Sequence, residues 1–80
     1  MASQPTTTLR DGALKATIWA NTAEKGTFYS VNLTRSYTDD EGHWHETSRF
    51  TGTELLRIAQ LATRAYDKVR ELRAADKTAA

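Results

Sequence analysis

Through the first half of the chain, apolar and polar residues alternate with a period of two. Leu14, Ala16, Ile18 and Ala20 alternate with Lys15, Thr17, Trp19 and Asn21, and Tyr29, Val31 and Leu33 alternate with Ser30, Asn32 and Thr34. This is the period of strands that bury one face. Asp11-Gly12 separates Thr7–Arg10 from the run beginning at Ala13. An Asp-Gly pair between strand-like runs predicts a tight hairpin, because glycine accepts positive φ. A short first strand is therefore expected from Thr7, with a second after the turn. Composition predicts a loop over 21–26 and a central strand over Thr27–Tyr37. Asp39-Asp40-Glu41-Gly42 then reads as an acidic turn, and His43–Phe50 as an edge strand.

The period changes after Phe50. Thr51-Gly52-Thr53-Glu54 has the spacing of a capping box, in which the Thr51 hydroxyl accepts from the Glu54 N–H and the Glu54 carboxylate accepts from the Thr51 N–H. Phe50 and Leu55 are spaced as a hydrophobic staple across this boundary. Leu55, Ile58, Ala59, Leu61, Ala62, Ala65, Tyr66, Val69 and Leu72 then fall within an arc of roughly 160° at helical spacing, which predicts an amphipathic helix to about Arg73. Tyr66 lies well inside this arc and reads as a core ring with its hydroxyl at the rim. The fold class is α+β, a four-stranded antiparallel β-meander followed by one C-terminal amphipathic helix. One domain over 7–73 is expected between tails at 1–6 and 74–80. A helix ~10–12 Å wide cannot cover four strands ~4.8 Å apart, so the far sheet face is left open, with Trp19 on it.

Length sharpens this picture. A chain of 80 residues buries only roughly 60–65% of the surface its unfolded form exposes, so the core is thin. The absence of cysteine rules out disulfides and thiolate zinc sites as staples, leaving self-association as the expected support. The helical arc exceeds what one sheet contact uses, and Leu56, Leu61 and Leu72 are the positions expected at a homodimer interface. Eleven Lys and Arg against ten Asp and Glu give a net charge of +1, so any attraction for nucleic acid must come from local patches. No apolar run approaches the ~18–20 residues of a membrane span, and the polar first residues lack the hydrophobic stretch of a signal peptide. The expectation is a cytoplasmic protein with no membrane partner.

Lys15, Thr17 and Trp19 share the outer face of the second strand, and Phe28 has the outward parity of Ser30, Asn32 and Thr34. Aromatic rings among short polar and basic side chains suit base stacking with phosphate contacts. Lys25, Arg35, His45 and Arg49 extend this candidate nucleic-acid surface. The competing readings are dimer packing for Trp19 and Phe28, and ordinary solvated surface for the cations. His43 and His45 could present two imidazoles to a metal, but no motif marks a third ligand, so neither metal nor cofactor is expected. No Gly-rich phosphate loop, Cys/His nucleophile pair or spaced carboxylate pair is found, and an enzyme is not expected.

The strand order, with Tyr37-Thr38-Asp39-Asp40-Glu41-Gly42 leading through Phe50 into Thr51-Gly52-Thr53-Glu54-Leu55-Leu56, resembles the single-stranded-DNA-binding domain of the positive-cofactor-four-like transcriptional coactivators. The likeness spans about Thr7 to Leu72. It implies a homodimer with helices at the interface and sheets presenting basic and aromatic side chains to unpaired strands, roles that fall on Lys15, Trp19, Arg35 and Arg49. That family is richer in lysine near the sheet, whereas this chain has only Lys15 and Lys25 before the helix. Leu14–Trp19 and Tyr29-Ser30-Val31 also look like a group of small uncharacterised bacterial proteins, which implies a bacterial origin. Two functions follow as expectations: single-stranded DNA or RNA binding by a homodimer, or a non-enzymatic homo-oligomeric adaptor for other proteins.

Overall fold

The computed structural model describes residues 5–79, with side chains as far as Ala75. Four strands form one antiparallel sheet in the order β1 (Pro5–Asp11), β2 (Leu14–Ala23), β3 (Gly26–Thr38) and β4 (Trp44–Thr47). A single 3₁₀ turn over Gly52–Glu54 leads into α1 (Leu55–Ala79). The expected ββββα order is thus the observed one.

The boundaries differ where backbone pairing outweighs composition. Segment 21–26 is a hairpin rather than an irregular loop: the ladder continues from Ile18↔Val31 to Ala23↔Gly26, leaving only Glu24 and Lys25 to turn. Strand pairing uses main-chain groups and so propagates through polar residues once the register is set. β1 already includes Pro5 and Thr6, ahead of the expected Thr7, on an edge where a missing N–H is tolerated. α1 continues past Arg73 to Ala79 through an alanine-rich stretch of high helix propensity. β4 is shorter than expected, because the Arg49 N–H turns back to the Thr47 hydroxyl at 3.1 Å.

Two turns carry their own chemistry. Asp11↔Leu14 pairing leaves Gly12-Ala13 as the β1–β2 loop, with Gly12 at φ 61° in the first loop position, the requirement of a type II′ hairpin. Arg57 of α1 clamps this turn through the Asp11 carboxylate at 3.2 Å and its carbonyl at 3.0 Å. A Cβ on Gly12 would stand 2.7 Å from the Arg57 guanidinium, which the flexible arginine can yield by loosening its clamp, so it is φ that selects glycine. In the β3–β4 turn, Asp39 Oδ1 accepts from the Glu41 and His43 N–H groups, both at 2.9 Å.

The core is narrow. Its buried apolar residues are Leu14, Ala16 and Ile18 of β2 and Ile58, Leu61 and Ala65 of α1, with Leu9, Leu33, Phe50, Val69 and Leu72 packed around them. The shortest dimension of the molecule is 15 Å and the radius of gyration is 14.8 Å, against the ~12 Å of a compact domain of this length. The protein is a flat two-layer slab, and α1 lies over β1 and β2 rather than over the sheet centre.

This offset corrects two readings of the helix. Leu61 is 1% exposed and belongs to the core, so it is not available to a second chain. Tyr66 is 65% exposed instead of buried, with the Arg70 guanidinium 5.9 Å from its ring centre. The arc is wider than the contact because α1 turns Ile58, Leu61 and Ala65 onto β2 and leaves Tyr66 on its flank.

At the helix entry, Glu54 accepts from the Thr51 N–H at 2.8 Å, while the Thr51 hydroxyl lies 3.3 Å from that of Thr53. Leu55 is 56% exposed, while Phe50 packs against the core. The Thr51 N–H holds the Glu54 carboxyl below the usual carboxylate range, and Arg57 does the same to Asp11. Carboxyls more acidic in the folded state add stability that is complete above their unfolded pKa and lost as pH falls through the folded one. The melting temperature is therefore expected to fall as pH drops below about 4. Circular dichroism melts at pH 7 and pH 3 should show a smaller drop for Glu54→Gln than for the parent; equal drops would remove Glu54 from this account.

Candidate nucleic-acid interface

The outer sheet face is covered by no other described element. Antiparallel register sets it out in rows: Arg10 opposite Lys15 and Thr34, Thr8 opposite Thr17 and Asn32, Trp19 opposite Ser30, and Asn21 opposite Phe28. Between Trp19 and the cations lies a shallow depression of ≈ 340 Å³, lined also by Pro5, Thr17, Asn32 and Glu46. Thr17 is buried in the middle of this face, Trp19 is half-buried, and Phe28 is 57% exposed. Trp44, which shares the outward parity of Glu46, is 74% exposed at the β4 edge.

Two polar atoms on this face are anomalous. The Trp19 indole nitrogen and the Thr34 hydroxyl are both buried without a hydrogen-bond partner among the described residues. Buried donors are nearly always paired, because an unmet one costs about 1–3 kcal/mol. Lys15 is engaged instead: its ammonium lies 3.0 Å from each carboxylate oxygen of Glu46, across β3.

Arg35, His45 and Arg49 do not join this face. Arg35 pairs with Leu14 and Thr47, and Tyr37 with His45, which puts them on the helix side of the sheet, beyond the end of α1. There Arg35, Tyr37, Thr47 and Arg49 line a separate open pocket. The Arg35 Nε donates to the Arg49 carbonyl at 3.2 Å and pairs with Glu54 at 3.2 Å, and its guanidinium lies 5.7 Å from the Tyr37 ring centre. His45 stacks on Tyr37 at 5.3 Å and meets Asp39 Oδ2 at 2.8 Å. That His45 contact, followed by the His43 N–H, holds the Asp39 carboxyl below its usual range. Lys25 stands apart in the β2–β3 turn, exposed. The single basic patch expected from sequence is therefore divided between two faces and a turn.

Arg10 is the outer-face cation that the sequence reading missed. The Asp-Gly hairpin signal contained it, because a two-residue turn pairing Asp11 with Leu14 must set Arg10 against Lys15. Glu46 was missed for another reason: its contact with Lys15 crosses an intervening strand, and periodicity within a strand does not report such a pair.

On the helix side, the offset of α1 leaves an apolar groove of ≈ 280 Å³ between α1 and β3, lined by Tyr29, Val31, Leu33, Ala62, Ala65, Tyr66 and Val69. Of the leucines expected at a dimer interface, Leu56 is 80% exposed on the helix and Leu72 packs against the core. No group of three or more His, Cys, Asp or Glu side chains is arranged to hold a metal among the described residues, and no described helix is long and apolar enough to cross a membrane. No protein-family model, curated protein or solved structure matches the chain, so its chemistry is read from this geometry alone.

Proposed function

We propose that this protein binds single-stranded DNA or RNA as a homodimer, without catalysis, through the outer face of its sheet. The observation that carries the reading is the Trp19 indole, half-buried on a face that no described element covers, with an N–H that lacks an acceptor among the described residues. An unpaired base can stack on the face of such a ring, a neighbouring nucleotide can offer the in-plane acceptor once the ring shifts to uncover its N–H, and Arg10 and Lys15 can neutralise flanking phosphates. Paired bases in a duplex have their faces occupied, so single strands are preferred.

A titration with labelled single- and double-stranded oligonucleotides of one sequence, at rising salt, tests this. Single strands should bind more tightly, with log affinity falling by roughly 0.7 per neutralised phosphate for each decade of salt. Equal affinity for duplex, or affinity indifferent to salt, would contradict it. Salt-indifferent capture of protein is the outcome of the adaptor reading, which the apolar groove favours.

The homodimer rests on that groove. One helix width covers about two strands, and β3 leaves Val31 exposed between the half-buried Tyr29 and Leu33, beside the exposed Tyr66 ring. A second copy related by two-fold symmetry covers both grooves at once. Val31→Asp, which sets a charge in the groove, is expected to shift sedimentation from dimer to monomer at micromolar concentration. A parent protein that sediments as a monomer, or a Val31→Asp variant that stays dimeric, would remove the groove from the interface.

A further inference from the structure

We infer that Glu46 is an internal competitor for phosphate at Lys15, and that it sets the affinity of the outer face; the inference rests on the nucleic-acid reading above. Lys15 and Arg10 are the two cations of this face at the depression, and they stand directly opposite one another. Like charges in that position repel. The Glu46 carboxylate meets the Lys15 ammonium with both oxygens at 3.0 Å, as two phosphate oxygens would. It is partly exposed at the rim of the same depression, on the four-residue edge strand β4. A phosphate approaching Lys15 competes with this carboxylate for the ammonium, and with Glu46 beside Arg10 and Lys15 the depression carries one net positive charge rather than two.

The pair is weak enough to be displaced. The Glu46 side chain is 45% and the Lys15 side chain 21% exposed, so solvent screens the pair from the Glu46 side, and holding it costs side-chain freedom. Glu46 therefore lowers affinity without closing the site. It also selects against isolated anions, because a strand that stacks on Trp19 brings its phosphates to Lys15 at high local concentration whereas a free anion does not.

The test is a double-mutant cycle with a labelled single-stranded 12-mer, measuring affinity over a range of salt for the parent, Glu46→Gln, Lys15→Gln and the double variant, with Glu24→Gln in the β2–β3 turn as an equal change of charge elsewhere. Glu46→Gln should tighten binding about threefold to fivefold at low salt, the scale of one exposed ion pair. It should also steepen the salt dependence by roughly 0.7, one more phosphate neutralised. In the Lys15→Gln background most of that gain should vanish, and Glu24→Gln should give less than half of it. If the parent binds and weakens on Lys15→Gln but Glu46→Gln brings no gain, or if Glu24→Gln gains as much, the competitor is overturned while the binding face stands. A Glu46→Gln protein that melts lower and binds as before assigns Glu46 to relief of the Arg10–Lys15 repulsion and also overturns the inference. If no variant binds, the binding face and its competitor fall together.

Discussion

Leu61→Ala is expected to remove a large share of the stability of this domain. Leu61 is 1% exposed, in contact with the β2 residues that make up the other half of the core. Truncating a buried leucine costs about 2–5 kcal/mol through lost transfer energy and the cavity left behind. A chain of this length has roughly 4–12 kcal/mol in total. In so thin a slab there is little second-layer packing to collapse into the cavity, and a fall in melting temperature of at least about 10 °C is expected. The same substitution at Leu56, 80% exposed on the same helix, should change monomer stability by less than about 0.5 kcal/mol. Circular dichroism melts of the two variants check the contrast. Equal melting temperatures would mean that α1 is not docked through Ile58, Leu61 and Ala65.

Trp19→Ala should weaken single-strand binding about tenfold or more, since stacking of a base on an aromatic ring contributes roughly 1–3 kcal/mol and each 1.4 kcal/mol is a factor of ten. Its effect on folding should be small beside that of Leu61→Ala. The substitution removes a half-buried ring, but it also removes a buried indole N–H without a partner among the described residues. Nor should it alter self-association, because the groove between α1 and β3 lies on the opposite side of the sheet. Oligonucleotide titration, melting and sedimentation on one purified variant separate these effects. Unchanged binding with altered sedimentation would move Trp19 from recognition to dimer packing.

The strands and helix were legible because each rests on a local rule. The Asp11-Gly12 turn needs positive φ, the β2 alternation needs one buried face, and Glu54 needs the Thr51 N–H. The placement of Trp19, Lys15 and Thr17 on the open face followed from the same alternation. Positions that depend on how layers sit were not legible. Tyr66 and Leu61 share one apolar arc, and only the offset of α1 toward β1 and β2 exposes the first and buries the second. Arg35 is different, because the parity that faces Leu33 inward also faces Arg35 inward. Grouping it with Lys15 by charge disregarded a signal that the strand already carried. The extension of β2 and β3 over 21–26 was hidden by polar composition, which reports on side chains while the ladder is made by main-chain groups.

The most direct test of the outer face is the indole N–H itself. The chain has two tryptophans, so a ¹⁵N-labelled sample gives two indole signals, and Trp44→Phe assigns them. On titration with a single-stranded oligonucleotide, the Trp19 signal is expected to move progressively to saturation as its N–H gains an acceptor and its ring stacks on a base, while the same strand annealed to its complement leaves it nearly in place. A Trp19 signal that stays fixed while the oligonucleotide binds elsewhere, or that moves equally with duplex, would contradict single-strand recognition by this face.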